Sequence, residues 1–175
     1  MVFFAKTWYF ISETRPVWVD FTLIDLDDFD RRLLRALQAD GKLSIQELAE
    51  RAGLSPSPAW RRVRRMEEAG IITGYRALLD RKAIGLSTLA FVHVSLIDHT
   101  EASIRIFDSF VETEDQVIEC CSITGTDDYM LKIVARDPEA LEYFLMKRIL
   151  GLGIVRSSTT HFVLRQKKYS TALPV

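Results

Sequence analysis

The stretch SIQELAERAGLSPSPAWRRVRRMEEAG, residues 44–70, decides how the first half of the chain folds. Ser44-Ile-Gln-Glu47 is a capping box: the Ser44 hydroxyl accepts from the backbone N–H three residues on, and Glu47 reaches back to the N–H of Ser44. It starts a short helix through Leu48 and Ala49 to Ala52, after which Gly53 supplies a sharp turn. Ser55-Pro56-Ser57-Pro58 then opens a second helix, because prolines are tolerated in a first turn whose N–H groups have no helical partner. That helix runs to Gly70. Ala59, Val63 and Met66 form its inward stripe, Trp60 is read as core in preference to a cover over the backbone side of the helix, and Arg61, Arg62, Arg64 and Arg65 take the remaining positions.

Four arginines within five residues are usually a solvated face. Here they follow a short helix, a glycine turn and a Ser/Pro helix start, the order in which a helix-turn-helix presents its second helix to the major groove of double-stranded DNA. A guanidinium fork can bond G O6 and N7 together while its neighbours hold phosphates and release counterions. Arg61, Arg62, Arg64 and Arg65 are therefore the expected DNA contacts, and Arg62→Ala is expected to weaken specific binding by roughly 1 to 3 kcal/mol. Ser55 and Ser57 join them at the helix start, where hydroxyls and unpartnered N–H groups can hold a phosphate; capping is the alternative role.

Upstream, Phe29, Leu33, Leu34 and Leu37 make one helical stripe, with Asp27, Asp28 and Asp30 at its positive end and Gly41 as its stop. Downstream, Ile71 to Leu79 reads as a strand and Gly85 as a junction. The period then changes. Thr88 to Ile97 reads as a buried strand, and Ala102, Ile104, Ile106, Phe107, Phe110 and Val111 fit a helix. Val117 to Thr124 and Tyr129 to Ala135 read as strands joined by the turn Gly125-Thr126-Asp127-Asp128. Pro138 opens a helix carrying Leu141, Phe144, Leu145 and Ile149, and Val155 to Leu164 closes with a strand. The order βαββαβ is a ferredoxin-like sandwich, so the chain as a whole is α+β.

A chain of 175 residues with 48% hydrophobic composition suits one domain or two small ones. Its net charge of -1 excludes a uniformly basic nucleic-acid coat, and the charge is unevenly spread. Residues 26–82 hold twelve basic against nine acidic residues, and residues 83–175 nine against twelve. The working division is residues 1–25 as an extension, 26–82 as a DNA-binding module, 83–87 as a hinge and 88–175 as a second module. Two adjacent cysteines, Cys120 and Cys121, offer neither a disulfide framework nor zinc spacing, which favours a reducing, cytoplasmic setting, and no apolar run is long enough to span a bilayer. Residues 1–25 hold seven of the eighteen aromatics, Phe3, Phe4, Trp8, Tyr9, Phe10, Trp18 and Phe21. Lys6 breaks their apolar run and no small-residue cleavage site follows, so a signal peptide fits poorly. Packing on the body or a partner subunit, an upstream extension and a misplaced start all remain open readings.

Leu26-Asp-Asp-Phe-Asp-Arg-Arg-Leu-Leu34, Leu54-Ser-Pro-Ser-Pro-Ala-Trp-Arg-Arg-Val-Arg-Arg-Met-Glu-Glu-Ala-Gly-Ile-Ile72, Gly125-Thr-Asp-Asp-Tyr129 and Ser158-Thr-Thr-His-Phe-Val-Leu-Arg-Gln-Lys-Lys-Tyr169 occur in that order. Through these motifs residues 26–175 resemble the Lrp/AsnC, or feast/famine, family of bacterial regulators. The resemblance implies a winged helix-turn-helix, a β-strand linker and a βαββαβ effector domain. It implies dimers that pair through their sheets and assemble further, into tetramers or octamers, with a small amino-acid effector at dimer–dimer contacts and no cofactor. Carried over by position, Thr124, Gly125, Thr126, Asp127 and Asp128 are the expected effector loop, and Ser157 and Thr159 on the last strand complete the pocket from a neighbouring chain. Glycine lets backbone approach closely and carboxylates can receive an ammonium group, although Asp127 and Asp128 also serve as turn formers.

Two other classes compete with this reading. A ferredoxin-like sandwich can host catalysis, but the chain shows no nucleophile–base pair, phosphate loop or metal cluster, and Asp127 with His161 is the sole pair to nominate. A sequence-tolerant DNA-wrapping protein would show little preference between operator and random DNA. His93, His99 and His161 have no ligand spacing and read as structural or surface residues. Strand alternation puts at most one of Cys120 and Cys121 into the core, the other being free to face a partner sheet.

Overall fold

The computed structural model describes residues 25–175, so the aromatic-rich extension lies outside the described residues. Two units emerge, one closing at Arg76 and taking in Ser170–Val175, the other Ala77–Tyr169. The division falls a few residues before the expected hinge at 83–87, because Arg81–Gly85 is a turn tied to the residue beyond it: Leu86 N–H donates to the Arg81 carbonyl at 2.7 Å and the Arg81 guanidinium bonds the Leu86 carbonyl at 2.9 Å.

The first unit contains α1 (Asp28–Ala39), α2 (Ile45–Ala52) and α3 (Pro56–Glu68). Asp27 caps α1 reciprocally with Asp30, and the helix ends on an extended Asp40 rather than on Gly41. The Ser44–Glu47 capping box forms as read, with Ser44 N–H donating to Glu47 Oε2 at 2.8 Å, and Gly53 takes the left-handed conformation, φ 73°, that the turn into α3 demands. Leu33, Leu48, Ala52, Ala59, Val63 and Met66 bury one another into a core. Residues 170–175 lie along α1, where the Gln38 side-chain amide clamps Leu173, donating to its carbonyl at 3.0 Å and accepting its N–H at 2.6 Å.

Two expectations fail here. Trp60 is 55% exposed, since at about 100° per residue it stands a quarter-turn away from the Ala59–Val63–Met66 stripe. The segment Ile71–Leu79 is not a strand. Its β-branched start closes α3 instead: Gly70 at φ 71° donates to Glu67, and Ile71 N–H donates to the Met66 carbonyl at 2.9 Å, a Schellman exit after which Ile72 packs on the core.

In the second unit the order is β1 (Thr88–Leu96), α4 (Glu101–Thr113), β2 (Val117–Ser122), β3 (Tyr129–Ala135), α5 (Pro138–Phe144) and β4 (Val155–Phe162). The four strands form one antiparallel sheet ordered β2-β3-β1-β4, the expected ferredoxin-like topology. After Phe144 the helix widens into a π turn, Leu145–Ile149, and a 3-10 turn, Leu150–Leu152, which Gly153 ends at φ 72°. Ala90, Val92, Val94 and Leu96 of β1 and Leu131 and Ile133 of β3 face the helices, where Phe107, Phe110, Leu141 and Phe144 complete the core. Pleating therefore turns Phe91, His93 and Ser95 to the opposite face. Among the described residues no helix is long and apolar enough to cross a membrane.

Candidate nucleic-acid interface and effector loop

Helix α3 has two unlike flanks. On one, the guanidinium of Arg62 bonds Asp27 Oδ2 at 2.7 Å and Asp30 Oδ1 at 2.9 Å, and Arg65 bonds Asp30 Oδ2 at 2.5 Å. Asp30 is wholly buried, so both its oxygens are satisfied by α3 arginines that lock α3 to the start of α1. Phe29 lies between Arg62 and Arg32, whose guanidinium carbons stand 5.6 and 5.5 Å from its ring. Hydrogen bonds to Asp30 and then Asp27 raise the Arg62 pKa above its ordinary value. The Asp30 N–H and the Arg62 guanidinium outweigh desolvation and hold the Asp27 carboxyl below the usual range.

The outward face is different. Ser57, Arg61 and Arg64 project away from the buried stripe and are exposed. Arg64 pairs loosely with Glu68 at 3.4 Å and lies over the Trp60 ring, 5.9 Å from its centre. Arg61 carries no ion pair among the described residues. Pro58, Arg61, Arg62 and Arg65 line an open, arginine-rich hollow. Ser55 sits at the N-cap without a side-chain capping bond, so its hydroxyl is not spent on the helix. The expected DNA contacts thus divide: Arg62 and Arg65 are engaged within the unit, whereas Ser57, Arg61 and Arg64 face outward.

The β2–β3 loop is the second candidate. Thr124 and Thr126 flank Gly125, whose φ of 129° an L side chain rarely adopts. The Asp128 carboxylate accepts the Leu96 N–H at 2.8 Å and meets His99 Nε2 at 2.9 Å, which anchors the loop to the end of β1. Desolvation would raise this carboxyl, but the Leu96 N–H and His99 prevail and hold it below its ordinary 3.8. Asp127 accepts the Ser95 hydroxyl at 3.0 Å and lies 3.5 Å from His93 Nδ1. His161, nominated with Asp127 as a pair, instead meets His93 edge-on at 5.3 Å between ring centres. Register places Ser157 opposite Ser95 and Thr159 opposite His93, so both exposed side chains share the sheet face on which Asp127 is tethered. No group of three His, Cys, Asp or Glu among the described residues could hold a metal. Cys120 packs against the core, and burial pushes its thiol up to about 11; Cys121 alternates to the other face.

Residues 26–73 match the family described as winged helix-turn-helix DNA-binding, and residues 89–173 match the Lrp/AsnC ligand binding domain. The leucine-responsive regulatory protein of Rhizobium meliloti is 37% identical over 145 residues, covering 83% of this chain and 93% of that one. This chain belongs to the Lrp/AsnC family. Among solved Lrp/AsnC relatives, a transcriptional regulator from Neisseria meningitidis in complex with L-methionine superimposes with a TM-score of 0.83 at 35% identity, over 86% of this chain and 97% of that one. A feast or famine regulatory protein from M. tuberculosis, also complexed with L-methionine, gives 0.75 at 34% identity, over 86% and 99%. Lrp/AsnC proteins are transcriptional regulators, and the architecture of this chain, a helix-turn-helix unit followed by a four-stranded α+β unit, is theirs.

Proposed function

We propose that this Lrp/AsnC regulator is a cytoplasmic, sequence-specific DNA-binding protein without enzymatic activity, controlled by a small amino acid. It works as a homodimer that assembles into tetramers or octamers. The observation that carries the reading is the asymmetry of α3: one flank is locked to α1 through the buried Asp30, which leaves Ser57, Arg61 and Arg64 free to enter the major groove. Those side chains, with Ser55 at the helix start, hold the duplex; Arg62 and Arg65 set the angle at which they meet it.

The effector reading rests on the loop 124–128 and on the L-methionine complexes of two relatives. Asp128 is fully occupied by Leu96 and His99, so its role is to hold the loop. Asp127, with one oxygen on Ser95 and the other only loosely engaged, is the acceptor for the ammonium group, while Thr124, Thr126, Ser157 and Thr159 offer hydroxyls to the carboxylate.

Gel-shift titration at fixed salt, with a duplex selected by the full chain from a random pool, tests both parts. L-Methionine or another of the twenty amino acids is expected to change affinity for the selected duplex by about 5- to 150-fold or to change assembly size in sedimentation. Asp127→Asn is expected to abolish that response and to leave binding without the amino acid intact. Silence across all twenty contradicts the effector reading; equal affinity for selected and random duplexes contradicts the DNA reading.

A further inference from the structure

The feature of α3 that the proposed function leaves unused is Trp60. It is 55% exposed on the flank of α3 away from Asp30, and Arg64, one turn on, lies 5.9 Å above its ring. Glu68 braces Arg64 from the next turn at 3.4 Å, so Trp60, Arg64 and Glu68 form one ladder along the helix surface. A tryptophan held in this way presents a rigid apolar plane at little further loss of side-chain freedom. Its outward side is cationic, with Arg61 and Arg64 both exposed there, and that selects a polyanion over an apolar protein groove. Among the groups on the major-groove edge of duplex DNA the thymine C5-methyl is the apolar one. We infer that Trp60 is a specificity-determining residue that packs its indole on a thymine methyl, with Arg64 held by the same ring against the adjoining phosphate or base. The inference rests on the proposed function, since it presupposes that α3 enters the groove.

The test uses the full chain and a duplex selected from a random pool. Affinities at one salt concentration are measured for the selected and a random duplex, with wild type, Trp60→Phe and Trp60→Ala. They are repeated on selected duplexes in which single thymines are replaced by uracil, which removes only the methyl. Trp60→Ala is expected to shrink the selected-to-random ratio about tenfold with random-duplex affinity unchanged, an intact helical circular dichroism spectrum and the same salt slope. Trp60→Phe is expected to fall between. At one or two positions the uracil replacement weakens wild type roughly fourfold, the worth of one buried methyl, and leaves Trp60→Ala untouched. A ratio unchanged by Trp60→Ala, an equal loss on both duplexes, or the same uracil penalty in wild type and variant overturns the assignment. A wild type without preference for any selected duplex overturns the proposed function as well, and so separates the two failures.

Discussion

Asp30 illustrates what one residue can decide. Local rules read it, with Asp27 and Asp28, as an acid complementing a helix dipole, and it does stand in the first turn beside Asp28, with Asp27 as the N-cap. Yet it also stands three and four residues before Leu33 and Leu34, on the buried stripe of α1, and a carboxylate there needs partners. The four arginines of α3 are plain in the sequence, but their pairing with Asp30 spans 32 and 35 residues, beyond any local spacing rule. Trp60 misleads for the opposite reason: its hydrophobic character outweighs its helical phase in a reading by residue type. Asp30→Ala is expected to lower unfolding free energy by about 2 kcal/mol in urea titration. That is below the roughly 3 to 5 kcal/mol typical of breaking a buried pair, because Arg62 and Arg65 are partly exposed and regain water. A change under about 0.5 kcal/mol, the range of an unremarkable surface substitution, would deny Asp30 its locking role.

At the scale of elements, periodicity is a sound guide wherever an element's partner is another part of the same unit. The Ser44–Glu47 capping box, the Pro-led starts of α3 and α5 and the β2–β3 hairpin all form as read. Ile71–Leu79 does not, since β propensity describes a fit to a pleated neighbour and here the residues meet the end of α3 first. Cysteine alternation is legible from the period of two, and it makes a chemical prediction. With its thiol pushed up to about 11 by burial, Cys120 in the folded chain is expected to resist iodoacetamide at pH 8 and to react only on denaturation, read by peptide mass spectrometry. Alkylation of native Cys120 at the rate of a denatured control would contradict its placement against the core.

For the whole molecule, the charge count separates residues 26–82 from 83–175, whereas the two units of the structure part after Arg76 and residues 170–175 return to the helical one. No composition rule could anticipate that return, which depends on Gln38 meeting the backbone of Leu173 135 residues away. The β2–β3 loop supplies a pH dependence. The Asp128 carboxyl is held below 3.8 in the folded chain, so its contribution to stability is complete above the ordinary carboxylate value and is lost as pH falls through the lower, folded one. The difference in melting temperature between wild type and Asp128→Asn is therefore expected to shrink as pH falls below about 4, relative to its value at about pH 5. A difference that holds or grows from about pH 5 to about pH 3 would refute the anchoring of the loop by Leu96 and His99.

The proposed function sets the outward face of α3 on DNA, and the salt dependence of binding tests that face most directly. For the full chain on a selected duplex, Arg61→Ala and Arg64→Ala are each expected to flatten the slope of log affinity against log salt by about one. Arg62→Ala, which removes the Nη1 that holds Asp27 and Asp30, is expected to change the slope less than either and to lower the melting temperature. A slope flattened by Arg62→Ala and untouched by the other two would contradict the outward assignment of Arg61 and Arg64.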